Sequence, residues 1–547
     1  MRTACSTDNG TSKGGSAGLL HKVVRFAVLA GALGSLGLTL CAGRHGNSLR
    51  LLSLFIVWVP SPFLILAWAN LLSKDWSRPA QSILYGVTLV LVVGSLAIYG
   101  NALSMPADSK VAAPFLVVPL ASWLLAILAI IASKLISGGW PRFRLVRWLI
   151  KGAAIVGMFG VLGIAILLGS LWLDHNQDTT LPAPTGPFAV GRTTYVWSDA
   201  THIDPMAPQP GTKKELFAWI WYPAAPSKPT QTADDYLPAR WRTALDQQRG
   251  GLISKFLTRD LSRVRAHSLR DAEVSPRQRA YPVVLMRAGL AALTADYSSL
   301  AEDLASHGYV VVGFDAPYRS FITVFPDGRV IARAPQNNAD LLSGPQVEQL
   351  TTKLARAWTS DMSFALDQLE RMNASDPSGR FPGRLDMQRI GVFGHSLGGA
   401  TALQFCHDDS RCKAGIDVDG LPLGNVIADG ISQPFMFIMS DHSKEPEAET
   451  RPVEANIRSI YGRLPVDRRW QIKIRGANHY MFSDGAMLRA PLVTRAMRSL
   501  GILPLDGRRQ IALTAHYVST FFDVYLNGAS VGKLRNQPDN PEIEYIQ

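Results

Sequence analysis

Apolar positions along this chain follow two regimes. Between residues 26 and 173 they come in long unbroken runs, and after residue 187 in short runs that alternate with amphipathic stretches. The long runs are 26–43, 51–72, 82–102, 111–133 and 152–173. Most approach the ~20 residues that a membrane span needs, the first being at the short limit. None carries an acid, Lys or Arg in its interior, which argues against an ion-coupled transporter. Trp58, Trp68, Trp123 and Trp148 lie among and beside them, where interfacial anchors are expected. Pro60 and Pro62 predict a kink in the second run. The Pro-rich stretch 174–186 reads as a linker.

The short runs predict a second kind of domain. Residues 188–191 and 194–197 predict a first strand pair, and 216–223, ending Trp221-Tyr222-Pro223, a strong strand. Residues 234–274 are mixed, predict helices at 239–248 and 253–265, and sit where a substrate-covering segment could be inserted. Strands are then predicted at 282–286, 309–314, 390–393, 414–418, 435–439 and 470–474. Helices are predicted at 297–307, 347–371, 400–405 and 511–526. Alternation of this kind predicts a mostly parallel sheet covered on both faces. The predicted organisation is a cytoplasmic tail (1–25), a membrane region of five helices (26–173), a linker (174–186) and an α/β domain (187–547).

Charge separates the same two parts. The chain carries a net +12, but residues 1–177 hold 14 Lys and Arg against four Asp and no Glu, and the remainder is nearly balanced. A soluble part without a basic excess does not predict nucleic-acid binding. The cations flanking the runs instead predict topology. Eleven lie before the first run, between the second and third, or between the fourth and fifth, and only Arg44, Arg50 and Lys110 lie on the other side. This bias places the N-terminus in the cytoplasm and, with five spans, the α/β domain outside, across an inner membrane of bacterial type. Cleavage of the first run as a signal peptide would leave that orientation unchanged. Cys41 is not read as a lipoprotein anchor, since Leu40 precedes it.

The candidate chemistry lies at 390–405. An apolar run, Ile390 to Phe393, leads into Gly394-His395-Ser396-Leu397-Gly398-Gly399 and then into helix-forming composition. This is the strand, tight turn and helix of a nucleophile elbow, and it makes the domain an α/β-hydrolase fold with Ser396 as its nucleophile. A second match, Gly10-Thr11-Ser12-Lys13-Gly14, has no strand before it and is assigned no function. A serine hydroxyl needs a base, and the base an orienting acid.

Eleven histidines are available. His21, His45 and His175 lie in or beside the membrane part, His202, His267 and His307 precede the elbow, and His395 is inside it. Of His407, His442, His479 and His516, which follow, His479 fits the base best, on a loop-forming run after the strand 470–474. For the acid, Asp417 and Asp419 lie at and beyond the end of one strand, where positions i and i+2 share a face, and Asp441 follows the next. Position alone leaves Asp419 and Asp441 nearly level. Cys406 and Cys412 are the only cysteines of the outer domain, and its oxidising compartment predicts a disulfide between them. No metal site is predicted, because these cysteines and the adjacent His407 lack companions at ligand spacing.

Several further motifs point one way. They are Gly186-Pro187-Phe188-x-Val190-Gly191, the strand ending Trp221-Tyr222-Pro223, and Asp303-Leu304-Ala305-Ser306-His307-Gly308-Tyr309. Others are Ala414-Gly415-Ile416-x-Val418-Asp419, Gln433-Pro434-Phe435-x-Phe437-Ile438 and Ile474-Arg475-Gly476-x-x-His479-x-x-Phe482-x-Asp484. With the elbow they resemble the type II platelet-activating-factor acetylhydrolases, the lipoprotein-associated phospholipase family, over most of residues 186–528. The resemblance implies Asp419 as the acid, ahead of Asp441, and an oxyanion hole from the N–H groups of Leu397 and Leu290. It implies no cofactor. One departure stands out: where the family has Ser-His-Gly before the second donor, this chain has Arg287-Ala288-Gly289.

The expected protein is thus a membrane-anchored serine esterase acting on short or oxidised acyl esters, with phospholipids among them. Its partners are the ester or lipid substrate and the bilayer, and its oligomeric state is not legible. The competing classes are a sensing or binding protein with a hydrolase-like outer domain, and an amidase or peptidase of the same fold.

Overall fold

A computed structural model describes residues 15–43, 49–103, 112–136, 163, 165–225, 233–249, 257–342, 344–443, 445–535 and 540–546. The chain divides into two compact units, Met1–Gly169 and Ser170–Gln547.

The first unit is helical, with helices Gly15–Gly43, Leu49–Trp58, Ser61–Leu72, Arg78–Leu103 and Ala112–Ile136. Among the described residues four stretches are long and apolar enough to cross a membrane: His21–Ala42, Ser53–Asp75, Arg78–Gly100 and Pro114–Ser133. The second is interrupted at Val59 and Pro60, as the proline predicts, and restarts with the Phe63 N–H donating to Pro60 O at 3.0 Å. Val28, Phe63, Leu66 and Val92 pack between helices, while Phe26, Leu33, Leu64 and Val90 are exposed. Of the expected fifth span, residues 152–162 lie outside the described residues, as do the basic loop before it and the Gly10–Gly14 match; 165–175 are helical.

The second unit is built on one large sheet. Its strands are β1 (Thr179–Thr180), β2 (Ala189–Ile203), β3 (Lys213–Ala224), β4 (Ala233–Asp235), β5 (Val264–Arg270), β6 (Tyr281–Arg287) and β7 (Val310–Asp315). A two-stranded ribbon, β8 (Ile322–Val324) and β9 (Val330–Ala332), stands apart. The sheet continues with β10 (Leu385–His395), β11 (Cys412–Val418), β12 (Phe435–Met439), β13 (Arg469–Ile474) and β14 (Ile543–Tyr545). The spatial order is β1-β5-β2-β3-β7-β6-β10-β11-β12-β13-β14, with β4 on β5. From β7 to β13 every pairing is parallel. β3 is antiparallel to both β2 and β7.

Strand periodicity explains why both faces are covered. Val283 and Leu285 of β6, with Phe435 and Phe437 of β12, pack on one face, against helices Pro345–Ala374 and Leu397–Asp408. The alternate residues Val284, Met286, Met436 and Ile438 pack on the other, against Ser298–Ser306 and Gly507–Tyr525. Each fully buried side chain of this size stabilises the fold by about 1.5–3 kcal/mol. With the elbow following β10, this is the α/β-hydrolase fold.

The structure departs from the sequence reading at the β5 edge. The expected strand pair at 188–197 is the single strand β2, paired with β3 in continuous register from Ala189 to Asp199. Arg192, which falls between the two expected strands, is buried and donates to the Asp234 carboxylate at 2.6 Å. Of the helix expected at 253–265, residues 253–256 lie outside the described residues, Leu257 is helical, and the chain leaves the helix at Thr258. A short turn, Leu261–Arg263, capped by Asp260, leads into β5, where Val264 and Ala266 are buried and Arg265 is exposed. The described strands of this segment, β4 and β5, extend the sheet, and β2, β3, β7 and β6 separate them from β10. The expected linker 174–186 is docked, with β1 pairing β5 and Thr185 N–H donating to Asp303 at 2.9 Å.

Candidate active site

The elbow forms where β10 meets the helix Leu397–Asp408. Ser396 stands between them at φ 57° and ψ −127°, and its N–H donates to Val418 O at 2.9 Å. A side-chain carbon on Gly394 would lie 2.2 Å from Gly398 O, and one on Gly398 would lie 2.3 Å from Arg287 O. Only glycine at both positions lets strand, helix and the loop after β6 close around the serine.

His479 reaches Ser396 from the far side of the sheet centre. It opens a short turn, His479–Met481, after β13, with Asn478 accepting from the Tyr480 N–H at 3.1 Å. Gln510, from the closing helix, bonds both the N–H and the C=O of Asn478. The imidazole then spans two partners, with Nε2 at 3.1 Å from Ser396 Oγ and Nδ1 at 2.7 Å from Asp419 Oδ2.

Asp419 and Asp417 have different partners, contrary to the shared face expected of positions i and i+2. The strand ends at Val418, and Asp419 turns off it at φ 55°. Asp417 stays beneath the elbow helix, accepting from the Gly420 N–H at 2.8 Å, and burial pushes its carboxyl well above the usual range. Burial also opposes ionisation of Asp419, but hydrogen bonds from His442 and His479 outweigh it and hold this carboxyl far below that range. Asp441 uses its carboxylate elsewhere: it accepts from the Gly476 N–H at 2.7 Å and so fixes the loop that carries His479.

The oxyanion residues predicted from resemblance flank the serine. Leu397 is the first residue of the elbow helix, so its N–H has no intrahelical acceptor. Leu290 follows Gly289, where a side-chain carbon would meet Ser396 Cβ at 3.3 Å. The Gly289 N–H donates to Tyr297 Oη at 3.1 Å, and that hydroxyl donates to His395 Nδ1 at 2.7 Å. Burial, with the neighbouring His479, pushes the His395 imidazole down to about 3, which keeps it neutral and able to accept. Arg287, where the resembled family has serine, is buried over the Trp358 ring at 3.9 Å and donates to Phe314 O.

Three residues of this site carried no role in the sequence reading. Tyr297 and His395 tie the Gly289 loop to the elbow. His442 bonds Asp419 Oδ1 through Nε2 at 2.9 Å. A histidine just past β12, beside the loop that carries Asp441, is the only sequence signal for it. Cys406 and Cys412 are joined by a disulfide, with Cα atoms 5.1 Å apart, linking the elbow helix to β11.

The arrangement can activate a hydroxyl and stabilise a developing oxyanion, which is the chemistry of acyl transfer. Comparison with known proteins agrees. Residues 173–527 match the family model of platelet-activating factor acetylhydrolase, isoform II. The platelet-activating factor acetylhydrolase of Cavia porcellus is 23% identical over 353 residues, covering 59% of this chain and 74% of that protein. A probable 1-alkyl-2-acetylglycerophosphocholine esterase of Arthroderma benhamiae is 24% identical over 411 residues, 71% of this chain and 99% of that protein. The structure of a ferulic acid esterase from Streptomyces cinnamoneus superposes with a TM-score of 0.56 at 26% identity, covering 68% of this chain and all of that one. With a match this long, the chain belongs to the platelet-activating factor acetylhydrolase isoform II family and is a carboxylic ester hydrolase.

Proposed function

We propose that this chain is a membrane-anchored serine esterase in which Ser396 is the nucleophile, His479 the general base and Asp419 the orienting acid. The observation that carries the reading is the continuous relay from Ser396 Oγ to His479 Nε2, 3.1 Å, and from His479 Nδ1 to Asp419 Oδ2, 2.7 Å. His479 takes the Ser396 proton as Oγ attacks the ester carbonyl. The N–H groups of Leu397 and Leu290 receive the oxyanion, each worth about 3 kcal/mol of barrier. The protonated imidazole then gives its proton to the departing alkoxide, leaving an acyl-enzyme. Water, deprotonated by the same imidazole, releases the acid and restores Ser396.

Short or oxidised acyl chains, including those of phospholipids, are the proposed substrates. Leu397 and Leu290 pack with Leu350, Leu354, Trp358 and Leu423 into an apolar cluster beside the serine, which suits an acyl group. The relatives named for platelet-activating factor and for a 2-acetyl glycerophosphocholine point to a small acyl group. The purified full chain in detergent is expected to be labelled by a fluorophosphonate probe and to cleave a 2-acetyl phospholipid at least ten times more efficiently than its 2-palmitoyl counterpart. Failure to label favours the binding-protein reading, and faster cleavage of the matching amide favours an amidase.

The four apolar helices support anchoring, and the exposed Phe26, Leu33, Leu64 and Val90 suit contact with lipid. The bias of flanking cations supports a cytoplasmic N-terminus with the hydrolase unit outside. In that compartment the Cys406–Cys412 bridge persists. Mass spectrometry of non-reduced, alkylated protein taken from membranes is expected to find the two cysteines linked; two alkylated thiols would contradict the outside placement.

A further inference from the structure

The acid of the proposed relay serves two histidines. Asp419 Oδ2 accepts from His479, while Oδ1 accepts from the Ser440 N–H at 2.7 Å and faces His442 Nε2 at 2.9 Å. The second nitrogen of His442, Nδ1, lies 2.9 Å from Glu445 Oε2. The Asp419 side chain is fully buried, whereas those of His442 and Glu445 are partly exposed. Two carboxylates on either side of the imidazole favour its cation, with Nε2 hydrogen-bonded to Asp419 and Nδ1 facing Glu445 at ion-pair distance without a hydrogen bond. The carboxylates of Asp419 and Glu445 are the charged groups that act most strongly on this ring. His479 reaches it through the shared carboxylate.

We propose that His442 is a positioning residue of the esterase relay, a protonated clamp that fixes Asp419 Oδ1 and so aims Oδ2 at His479 while lowering the basicity of the relay. The inference rests on the assignment of Ser396, His479 and Asp419 to catalysis. Two effects follow from the geometry. First, Asp419 stands beyond the end of β11, and its carboxylate would be free to rotate without donors on Oδ1. Ser440 and His442 remove that freedom. Second, the positive charge of His442 partly neutralises the carboxylate that would otherwise stabilise the imidazolium of His479. The base then holds its proton less tightly and stays competent to lower pH.

The hydrogen bond to Asp419, more than the opposing burial, raises the His442 imidazole to about 9, so the clamp is cationic at neutral pH. Its folded value lies above the ordinary histidine value. The clamp's contribution to stability is therefore full below about pH 6.5 and is lost as pH rises through about 9.

Two variants of the full chain test the proposal. His442→Gln keeps an N–H donor for Oδ1 but removes the charge. It is expected to move the acid limb of the kcat/KM profile upward by about one pH unit, with kcat at the plateau within about threefold of native. His442→Ala removes both donor and charge and is expected to lower kcat about tenfold or more with KM little changed, an effect that His442→Gln restores. A His442→Gln profile that superimposes on the native one overturns the proposal. So does a His442→Ala protein that is less heat-stable but turns over normally per folded molecule, as a purely structural residue would give. Asp419→Asn, assayed beside them, separates the two levels of the argument: normal activity there removes the relay itself, whatever the His442 variants do.

Discussion

Ser396→Ala lowers turnover of a short-chain ester by about 10⁴- to 10⁶-fold and abolishes fluorophosphonate labelling. The size follows from what the hydroxyl does: without Oγ there is no acyl-enzyme, and His479 has no proton to take from the chain. What remains is the modest acceleration that an oxyanion hole and binding give to attack by water. The comparison is fair because alanine keeps the Cβ. The strained backbone at φ 57° and the bond from the Ser396 N–H to Val418 O are both retained, so the elbow folds as before. The measurement is kcat on protein quantified as folded by its unfolding transition. A rate within about tenfold of native would remove Ser396 from the mechanism.

How much of this was legible in the sequence follows from how local each signal is. The strands β6, β11 and β12 and the second half of β10 are short, largely buried apolar runs, and runs of that kind declare themselves; β13 declares itself by alternation, with Trp470, Ile472 and Ile474 buried between half-buried polar residues. The elbow declares itself through Gly394 and Gly398, whose spacing is dictated by contacts within a few residues. Edge elements were less legible. β2 contains Arg192 and Thr193, which fall between two expected strands until Asp234, over forty residues on, supplies the buried carboxylate that neutralises the arginine. β5 was not legible as a strand, and the expected helix ran into its first two residues, because its sheet neighbours β1 and β2 are distant in sequence.

The site divides in the same way. His479 stood out because it follows the last parallel strand on a loop-forming run. Position alone left Asp419 and Asp441 level, since both follow strands at the same end of the sheet, and the family resemblance was what favoured Asp419. What separates them is the use of each carboxylate: one meets His479, and the other meets the Gly476 N–H. His442 gave little local sign beyond its place just past β12, because its meaning lies in a carboxylate 23 residues upstream.

Asp419→Asn is expected to cost about 10⁴-fold in kcat at neutral pH, while Asp441→Asn costs no more than a few-fold. The asymmetry comes from where an amide can place its two ends. Oδ1 of Asp419 faces two donors, the Ser440 N–H and His442 Nε2, so the amide oxygen of an asparagine settles there. Its NH₂ group then faces His479 Nδ1 and donates to it. The imidazole is forced to carry its own proton on Nε2, pointing at Ser396 Oγ, and can no longer accept the serine proton. At position 441 the amide oxygen still accepts from the Gly476 N–H, so the loop before His479 keeps its shape. Both variants keep the volume of the side chain, so unfolding transitions close to native are the control. The deciding measurement is kcat for the pair at one pH. A crippled Asp441→Asn beside a nearly normal Asp419→Asn would transfer the role of acid to Asp441. It would also mean that the 2.7 Å contact between His479 and Asp419 is not the one used in turnover.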